Sequence, residues 1–250
     1  YCRSVEQVDV AERLPEITAR AFQLAQTGTP GPVIVALPTD ILNEEIVSEP
    51  RGPQTAWKAE PSSRELDAVM ALLESAERPV MITGAESKSP AARQALTTFA
   101  EQYGLPVLPN QVHQHVMSHD HPNFAGAIGG ATPRSVKETV WNADVVLAVG
   151  SRMTNKGSVG FTVPSKDQKL IHIYPDADMI GRIYHTELGV VSSGEPFWSA
   201  MIERNAPPPS DMRKAWLAQS RKNYTDTSDF VPREAHDGVE FGHVIKAMAD

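Results

Sequence analysis

Residues 142 to 178 read NADVVLAVGSRMTNKGSVGFTVPSKDQKLIHIYPDAD and specify the centre of the predicted sheet. They contain two apolar runs, residues 145 to 149 and residues 170 to 174, each of which stops at small, polar or turn-forming residues. Runs this short and this rich in β-branched residues are typical of strands buried on both faces, not of amphipathic helices. We therefore predict two central parallel strands.

Ligands of open α/β sheets bind in the crevice beyond the carboxyl ends of the strands. The first candidates for a site are the residues that follow the two predicted strands, namely Gly150, Ser151, Arg152, Pro175 and Asp176. The fold is expected to bring them to one edge of the sheet.

Predicted helices and strands alternate over residues 63 to 205, which predicts an α/β fold with a doubly wound parallel sheet of about five strands. One of the predicted strands, PVMIT at residues 79 to 83, is followed directly by Gly84 at its carboxyl end. A helix over residues 91 to 104 is expected to stop at Gly104. A further helix over residues 133 to 141 is expected to have Thr132 as its N-cap and Pro133 at its first position.

The flanking segments differ in character from this central domain. Residues 1 to 47 predict a partial α/β unit, with a helix over residues 9 to 26 and a strand over residues 33 to 37 that has no preceding strand to pair with. Residues 48 to 62 carry three prolines and predict an extended linker. Residues 206 to 250 predict a second linker, helical over 211 to 223, polar and irregular over 224 to 238, and entering a helix at its end.

Composition narrows the class of protein. The chain has 250 residues, 41% of them hydrophobic, and it has neither an apolar run long enough for a membrane span nor a signal-peptide pattern, so we expect a soluble, cytoplasmic protein. Cys2 is the only cysteine, which rules out an internal disulfide. A net charge of −8 argues against nucleic acid as a partner. Because the chain begins with Tyr1, we expect processing or an excerpt from a longer protein.

The segment TGTPGPVIVALPTDIL, residues 27 to 42, closely resembles the end of the pyrimidine-binding domain of thiamine-diphosphate-dependent enzymes of the acetolactate synthase type. The patterns that follow agree in order with the central domain and second linker of that family: RPVMITGAES, DVVLAVGSRMT, KLIHIYPDADMIGR and VEFGHVIKAMAD. The resemblance covers essentially all of the chain. It depends on the ordered series and not on any single motif.

The resemblance implies an enzyme that uses thiamine diphosphate and Mg²⁺ to decarboxylate a 2-keto acid, or to transfer the resulting carbanion to an acceptor. It also implies a homodimer or homotetramer. The family's catalytic glutamate would lie before Tyr1 and its magnesium motif after Asp250. We therefore expect no catalytic residue within this chain and no metal site of its own.

The same resemblance places Gly84, Gly150, Ser151, Arg152 and Asp176 where flavin adenine dinucleotide (FAD) binds in those relatives that retain it. Small residues let a backbone approach a diphosphate, and arginine can pair with its oxygens. The sequence departs from the flavin-bearing pattern in the segment MTNKGSVG and in the tyrosine at position 174. The alternative is that these residues form tight strand-end turns of a domain that has lost its nucleotide.

Two further segments are candidates for a metal site and an anion site. QVHQHVMSHDH, residues 111 to 121, suggests a metal through its four histidines, but their spacing fits no standard metal signature and a polar loop is the alternative. AGAIGGATP, residues 125 to 133, could hold an anion at the start of the next helix or form a close-packed turn.

Two other functions stay open on the sequence. A nicotinamide-dependent oxidoreductase would use the doubly wound domain as its dinucleotide site, but the usual glycine fingerprint is missing. A non-catalytic module would use the sheet only as a scaffold between subunits.

Overall fold

The structure, a computed structural model, describes residues 2–52, 54–204, 206–228, 230–236 and 238–249. Its N-terminal unit contains β1 (Ser4–Gln7), α1 (Leu14–Gln26) and β2 (Val33–Ala36). β1 and β2 pair in parallel, with Ser4 opposite Val33. The expectation that the strand after α1 has no preceding partner is therefore wrong. The sequence of β1, SVEQ, is short and has no apolar run, so its pairing depends on β2 and leaves no periodic signal.

The first helix is shorter than its apolar pattern predicts. It starts at Leu14 instead of residue 9, with Pro15 in its first turn and Val10 in an extended conformation. Proline has no N–H to donate and is tolerated only in the first turn of a helix, so a helix that began at residue 9 would have carried Pro15 in its interior. The proline therefore sets the start of α1.

A five-stranded parallel sheet forms the central domain, as predicted. The strands are β3 (Pro79–Thr83), β4 (Val107–Pro109), β5 (Val145–Val149), β6 (Lys169–Tyr174) and β7 (Leu188–Val191). They stand in the order β4-β3-β5-β6-β7. β3 and β5 are fully buried, which explains why both read as unbroken apolar runs.

Helices cover both faces of this sheet, as a doubly wound fold requires. The helices are α2 (Ser63–Ser75), α3 (Pro90–Tyr103), α4 (Arg134–Trp141), α5 (Gly194–Ile202) and α6 (Asp211–Ser228). A further helix, α7 (Phe241–Ala249), follows them in the chain. Val145, Leu147 and Val149 belong to the core that includes residues of α2, α3 and α5. Val146 and Ala148 belong to the opposite core, with residues of α4 and Trp216 of α6. Alternate residues of one strand thus serve two layers.

Helix α6 continues to Ser228, five residues beyond the predicted end at residue 223. Tertiary contacts stabilise the extra turn: the Tyr224 and Phe124 rings pack edge to face at 5.0 Å, and Asn223 Nδ2 donates to Thr139 Oγ1 over 2.9 Å. The prediction that residues 224 to 228 are irregular is wrong. It was based on their polar composition, which gives no sign of these tertiary contacts. Within the described ranges, every helix is too short or too polar to cross a lipid bilayer.

The start of α4 also differs from its prediction. The helix begins at Arg134, and Pro133 occupies the N-cap position without a side-chain hydrogen bond. Thr132 is therefore not the N-cap. Its hydroxyl instead accepts from Gly129 N over 2.7 Å and lies 3.1 Å from Ala127 O, so it closes the preceding loop. Threonine often binds nearby backbone in this way instead of capping a helix.

Candidate functional site

Gly84 and Gly150 end the two central strands β3 and β5, on either side of the point where the strand order reverses. Gly84 N donates to Val149 O over 3.0 Å, and Gly150 N donates to Ile173 O over 2.9 Å. This is the position at which doubly wound folds bind ligands. The structure thus brings Gly84, Gly150 and Ser151 together at the expected edge of the sheet.

The two glycines make a very close backbone contact. A Cβ atom on Gly84 would lie 2.2 Å from Gly150 O and 2.8 Å from Gly150 C. Gly150 itself has a φ of 64°, which favours glycine. Contact between the two strand ends therefore accounts for both glycines without a ligand.

Glu86 lies against Gly150, and no sequence motif identifies it as a site residue. Its Oε2 accepts a hydrogen bond from Gly194 N, the first residue of α5, over 3.2 Å. Burial raises the pKa of this carboxyl group, and the Gly194 N–H together with Lys58 and Lys88 opposes the rise. The only signal in the sequence is an acidic residue two positions after a strand-end glycine.

Replacing Glu86 with glutamine is expected to raise the free energy of unfolding at neutral pH, and to change it little at a pH below the ordinary pKa of a glutamate, because burial raises the pKa of Glu86. A carboxyl whose folded pKa is raised binds more protons in the folded state, so its contribution to stability is present at low pH and is lost as pH rises through the folded pKa. Glutamine keeps an oxygen for Gly194 N and has no charge to desolvate. Denaturant unfolding of both proteins across pH tests this; an equal difference at every pH contradicts it.

Ser151 is buried and used within the protein. Its hydroxyl accepts from Asn110 Nδ2 over 3.2 Å and from Met153 N over 3.3 Å, and its carbonyl oxygen lies 2.8 Å from His172 Nε2. Burial lowers the pKa of His172, which favours the neutral ring that donates to this carbonyl. Asn110 Oδ1 is buried and has no hydrogen-bond partner among the described residues. The network fixes the loop after β5 to the end of β4.

Arg152 and Asp176 form hydrogen bonds with residues other than the two glycines. The exposed Arg152 donates through Nε to Tyr174 Oη over 3.0 Å. Asp176 accepts from Asp178 N over 3.1 Å within its own turn and from Thr29 Oγ1 over 3.4 Å. Thr29 belongs to the turn between α1 and β2, so Asp176 connects the central domain to the N-terminal unit.

Hydrogen bonds and ring packing hold two histidines of the histidine-rich segment in place. His121 pairs through Nε2 with Glu101 Oε1 at 3.0 Å and accepts from Asn123 N through Nδ1 at 3.1 Å, so both ring nitrogens are occupied. His119 stacks on Phe124 with ring centroids 4.3 Å apart. No group of three or more His, Cys, Asp or Glu side chains in the described part of the chain is arranged to hold a metal ion. Packing and hydrogen bonding account for these two histidines.

The loop over residues 125 to 133 is tightly packed at Gly129, where an added Cβ would lie 2.1 Å from Gln111 Oε1. A cavity of about 240 Å³ borders the loop, lined in part by Thr132, Val136 and Tyr224. The Thr132 hydroxyl already binds the loop backbone, and it is a neutral group with no charge to attract an anion. Close packing therefore explains Gly126 and Gly129, whereas an added Cβ at Gly130 would meet no heavy atom within 4 Å.

Comparison with known proteins agrees with the fold. The family described as "Thiamine pyrophosphate enzyme, central domain" matches residues 66–201. The chain is 30% identical to the glyoxylate carboligase of Escherichia coli O157:H7 over 217 residues, which cover 86% of the chain and 36% of that relative. It is 28% identical to the acetolactate synthase large subunit of Corynebacterium glutamicum, over 76% of the chain and 31% of the relative.

A third relative is the sulfoacetaldehyde acetyltransferase of Castellaniella defragrans, 29% identical over 71% of the chain and 30% of that protein. The chain spans about a third of the length of these relatives. The matched residues begin in α2 and end in α5, and they contain all five strands of the central sheet. The predicted resemblance to acetolactate synthases is thus confirmed, and the chain belongs to the thiamine pyrophosphate enzyme family, whose central domain it contains.

Proposed function

We propose that this chain is the central part of a thiamine-diphosphate-dependent enzyme that acts on small 2-keto acids by decarboxylation, carboligation or both. The observation that carries the proposal is the match of the whole central sheet to the family's central domain. It is supported by relatives named as a carboligase, a synthase and an acetyltransferase. The complete protein would therefore be a lyase or a transferase.

The residues that the structure describes do not fit a site for thiamine diphosphate and its Mg²⁺. Such a metal prefers oxygen ligands, and the described residues contain no suitable group of three acidic or metal-ligating side chains. Thiamine diphosphate supplies the stabilised carbanion chemistry when it is bound. We propose that other parts of the protein bind it with Mg²⁺, and we assign none of this chain's residues to the reaction.

The proposed role of the chain is to hold the flanking parts of the enzyme in position. On the N-terminal side, Thr29 contacts Asp176 at the end of β6. The linker contacts the start of α5, where Lys58 Nζ lies 3.0 Å from Glu195 Oε2 and Ser193 N donates to Ala59 O over 2.9 Å. These contacts fasten the residues before α2 to the carboxyl edge of the sheet.

Exposed apolar side chains support the proposal that residues 1 to 47 are the end of a pyrimidine-binding domain. Within the described residues, the sheet of this unit has two strands, and an isolated pair of strands is at best marginally stable. Val5, Phe22 and Ile34 are 64%, 66% and 51% exposed. A larger domain that packs on this unit would bury them.

For the remaining boundaries we propose a linker over residues 48 to 62 and a central domain that starts at residue 63. The sequence predicts the end of this domain at residue 205, with a linker over 206 to 250. The contacts of α6 favour a folded unit that continues to Ser228, because Trp216 Nε1 donates to Pro79 O of β3 over 2.9 Å. Helix α7 beyond it exposes Phe241 and Met248, which fits a connection to a further domain.

We further propose a cytoplasmic homodimer or homotetramer with a 2-keto acid as substrate and neither nucleic acid nor membrane as partner. The net charge of −8 supports the exclusion of nucleic acid. The single cysteine is consistent with a reducing compartment.

Removing the cofactor tests the proposed function. The longest natural polypeptide that carries this sequence is expected to consume pyruvate or glyoxylate, to lose this activity after dialysis against a chelator, and to regain it with thiamine diphosphate and Mg²⁺ together. Residues 1 to 250 alone are expected to bind neither with a Kd below about 10 μM in calorimetry. Activity that survives complete cofactor removal, or micromolar cofactor binding by residues 1 to 250, contradicts the proposal.

A further inference from the structure

The side chain of Glu86 fills the crevice between the end of β5 and the start of α5. A Cβ atom on Gly150 would lie 2.6 Å from Glu86 Cβ and 2.5 Å from its Cγ, and one on Gly194 would lie 2.7 Å from Glu86 Cβ. Real Cβ atoms essentially never come this close to another heavy atom, so both positions must be glycine to leave room for this side chain. The stem of Glu86 therefore occupies the space that the two glycines leave open.

The carboxylate of Glu86 also takes a hydrogen-bond donor that an anionic ligand would use. Backbone N–H groups at the start of a helix are common phosphate-binding groups, and α5 has nine residues. Gly194 N, at the start of α5, donates to Glu86 Oε2 over 3.2 Å. Burial raises the pKa of this carboxyl group, and Lys58 and Lys88 only partly oppose the rise. A phosphate at this place would meet the carboxyl oxygens of Glu86 and lose this donor.

The remaining predicted nucleotide-site residues have internal roles as well. Gly84 is required by the backbone of Gly150, and the Ser151 hydroxyl is held by Asn110 and Met153. We propose that Glu86 is a built-in substitute for the diphosphate of a dinucleotide, and that the strand-end crevice of this chain binds neither FAD nor another compound with an adenosine diphosphate group. This inference is independent of the thiamine chemistry, because it concerns only adenine nucleotides.

Adenine nucleotide binding tests the inference directly. The longest natural polypeptide carrying this sequence is expected to purify without flavin absorbance and to show no saturable binding of ADP or FAD up to about 1 mM in calorimetry. Glu86→Gly removes the whole side chain and is expected to bind ADP with a Kd of about 100 μM or tighter, a gain of at least about tenfold. Glu187→Gly removes an exposed carboxylate of the same domain and is expected to behave like the wild type.

A second variant keeps the test decisive if glycine at position 86 prevents folding. Glu86→Ala removes the Cγ atom and the carboxylate but retains a Cβ, and it is expected to gain ADP affinity in the same direction. Circular dichroism confirms that each variant is folded. Flavin that copurifies with the wild type, or wild-type binding of ADP or FAD with a Kd below about 100 μM, overturns the inference. It is also overturned if a folded variant at position 86 binds ADP no better than Glu187→Gly.

Discussion

Replacing Gly84 with alanine is expected to lower the free energy of unfolding by about 3 kcal/mol. The added Cβ would lie 2.2 Å from Gly150 O and 2.8 Å from Gly150 C, both of them backbone atoms. The strand ends cannot separate easily, because Gly84 N donates to Val149 O and Ala85 N to Gly150 O. One methyl group therefore forces the two central strands apart. Urea unfolding followed by circular dichroism measures the loss.

Gly130→Ala provides the matched control for this substitution. An added Cβ at Gly130 has no heavy atom within 4 Å, so its expected effect stays within about 0.5 kcal/mol. Both variants add the same methyl group and lower the backbone freedom of the unfolded chain equally. If Gly84→Ala proves as stable as Gly130→Ala, the close contact between the ends of β3 and β5 is wrong.

Replacing Arg213 with methionine is expected to destabilise the protein by about 3 kcal/mol. Arg213 is 7% exposed, and its guanidinium donates to three carbonyl oxygens at the ends of two helices. Nη2 binds Leu73 O and, over 2.7 Å, Ala76 O, and Nη1 binds Tyr103 O over 3.4 Å. Carbonyls in the last turn of a helix lack the usual partner four residues later, so each of the three loses a donor when the guanidinium is removed, and among the described residues Leu73 O keeps only Ala76 N at 3.3 Å.

The same substitution is expected to loosen α6 and to expose it to limited proteolysis, because Arg213 fastens the first turn of this helix to α2 and α3. Arg134→Met is the control: the Arg134 side chain is 87% exposed and pairs with Glu138, a contact worth about 0.5 kcal/mol or less. Equal unfolding free energies for the two variants would show that Arg213 does not anchor α6 to the central domain.

The strands of the central sheet could be predicted because their signal is local. Residues 145 to 149 are apolar throughout and form β5 with the predicted bounds, and Gly104 ends α3 with a φ of 61°. The start of α1 and the end of α6 could not be located from periodicity. Pro15 outweighs the apolar pattern in the first case, and contacts of Tyr224 with a distant loop outweigh the polar composition in the second.

The candidate residues at the strand ends were found because the end of a strand can be predicted from the sequence. The residues that surround them in the fold could not be predicted in this way. A buried parallel strand followed by glycine can be recognised from its own residues. The sequence was therefore sufficient to predict the doubly wound architecture, the family, and the edge of the sheet at which a site should lie. The identity of the atoms in the crevice depends on the packing of remote segments. Glu86 and Gly194 are 108 residues apart, and no local pattern relates them. Folding brings this carboxylate to the start of α5, where its side chain packs against Gly150 and Gly194 and fills the crevice.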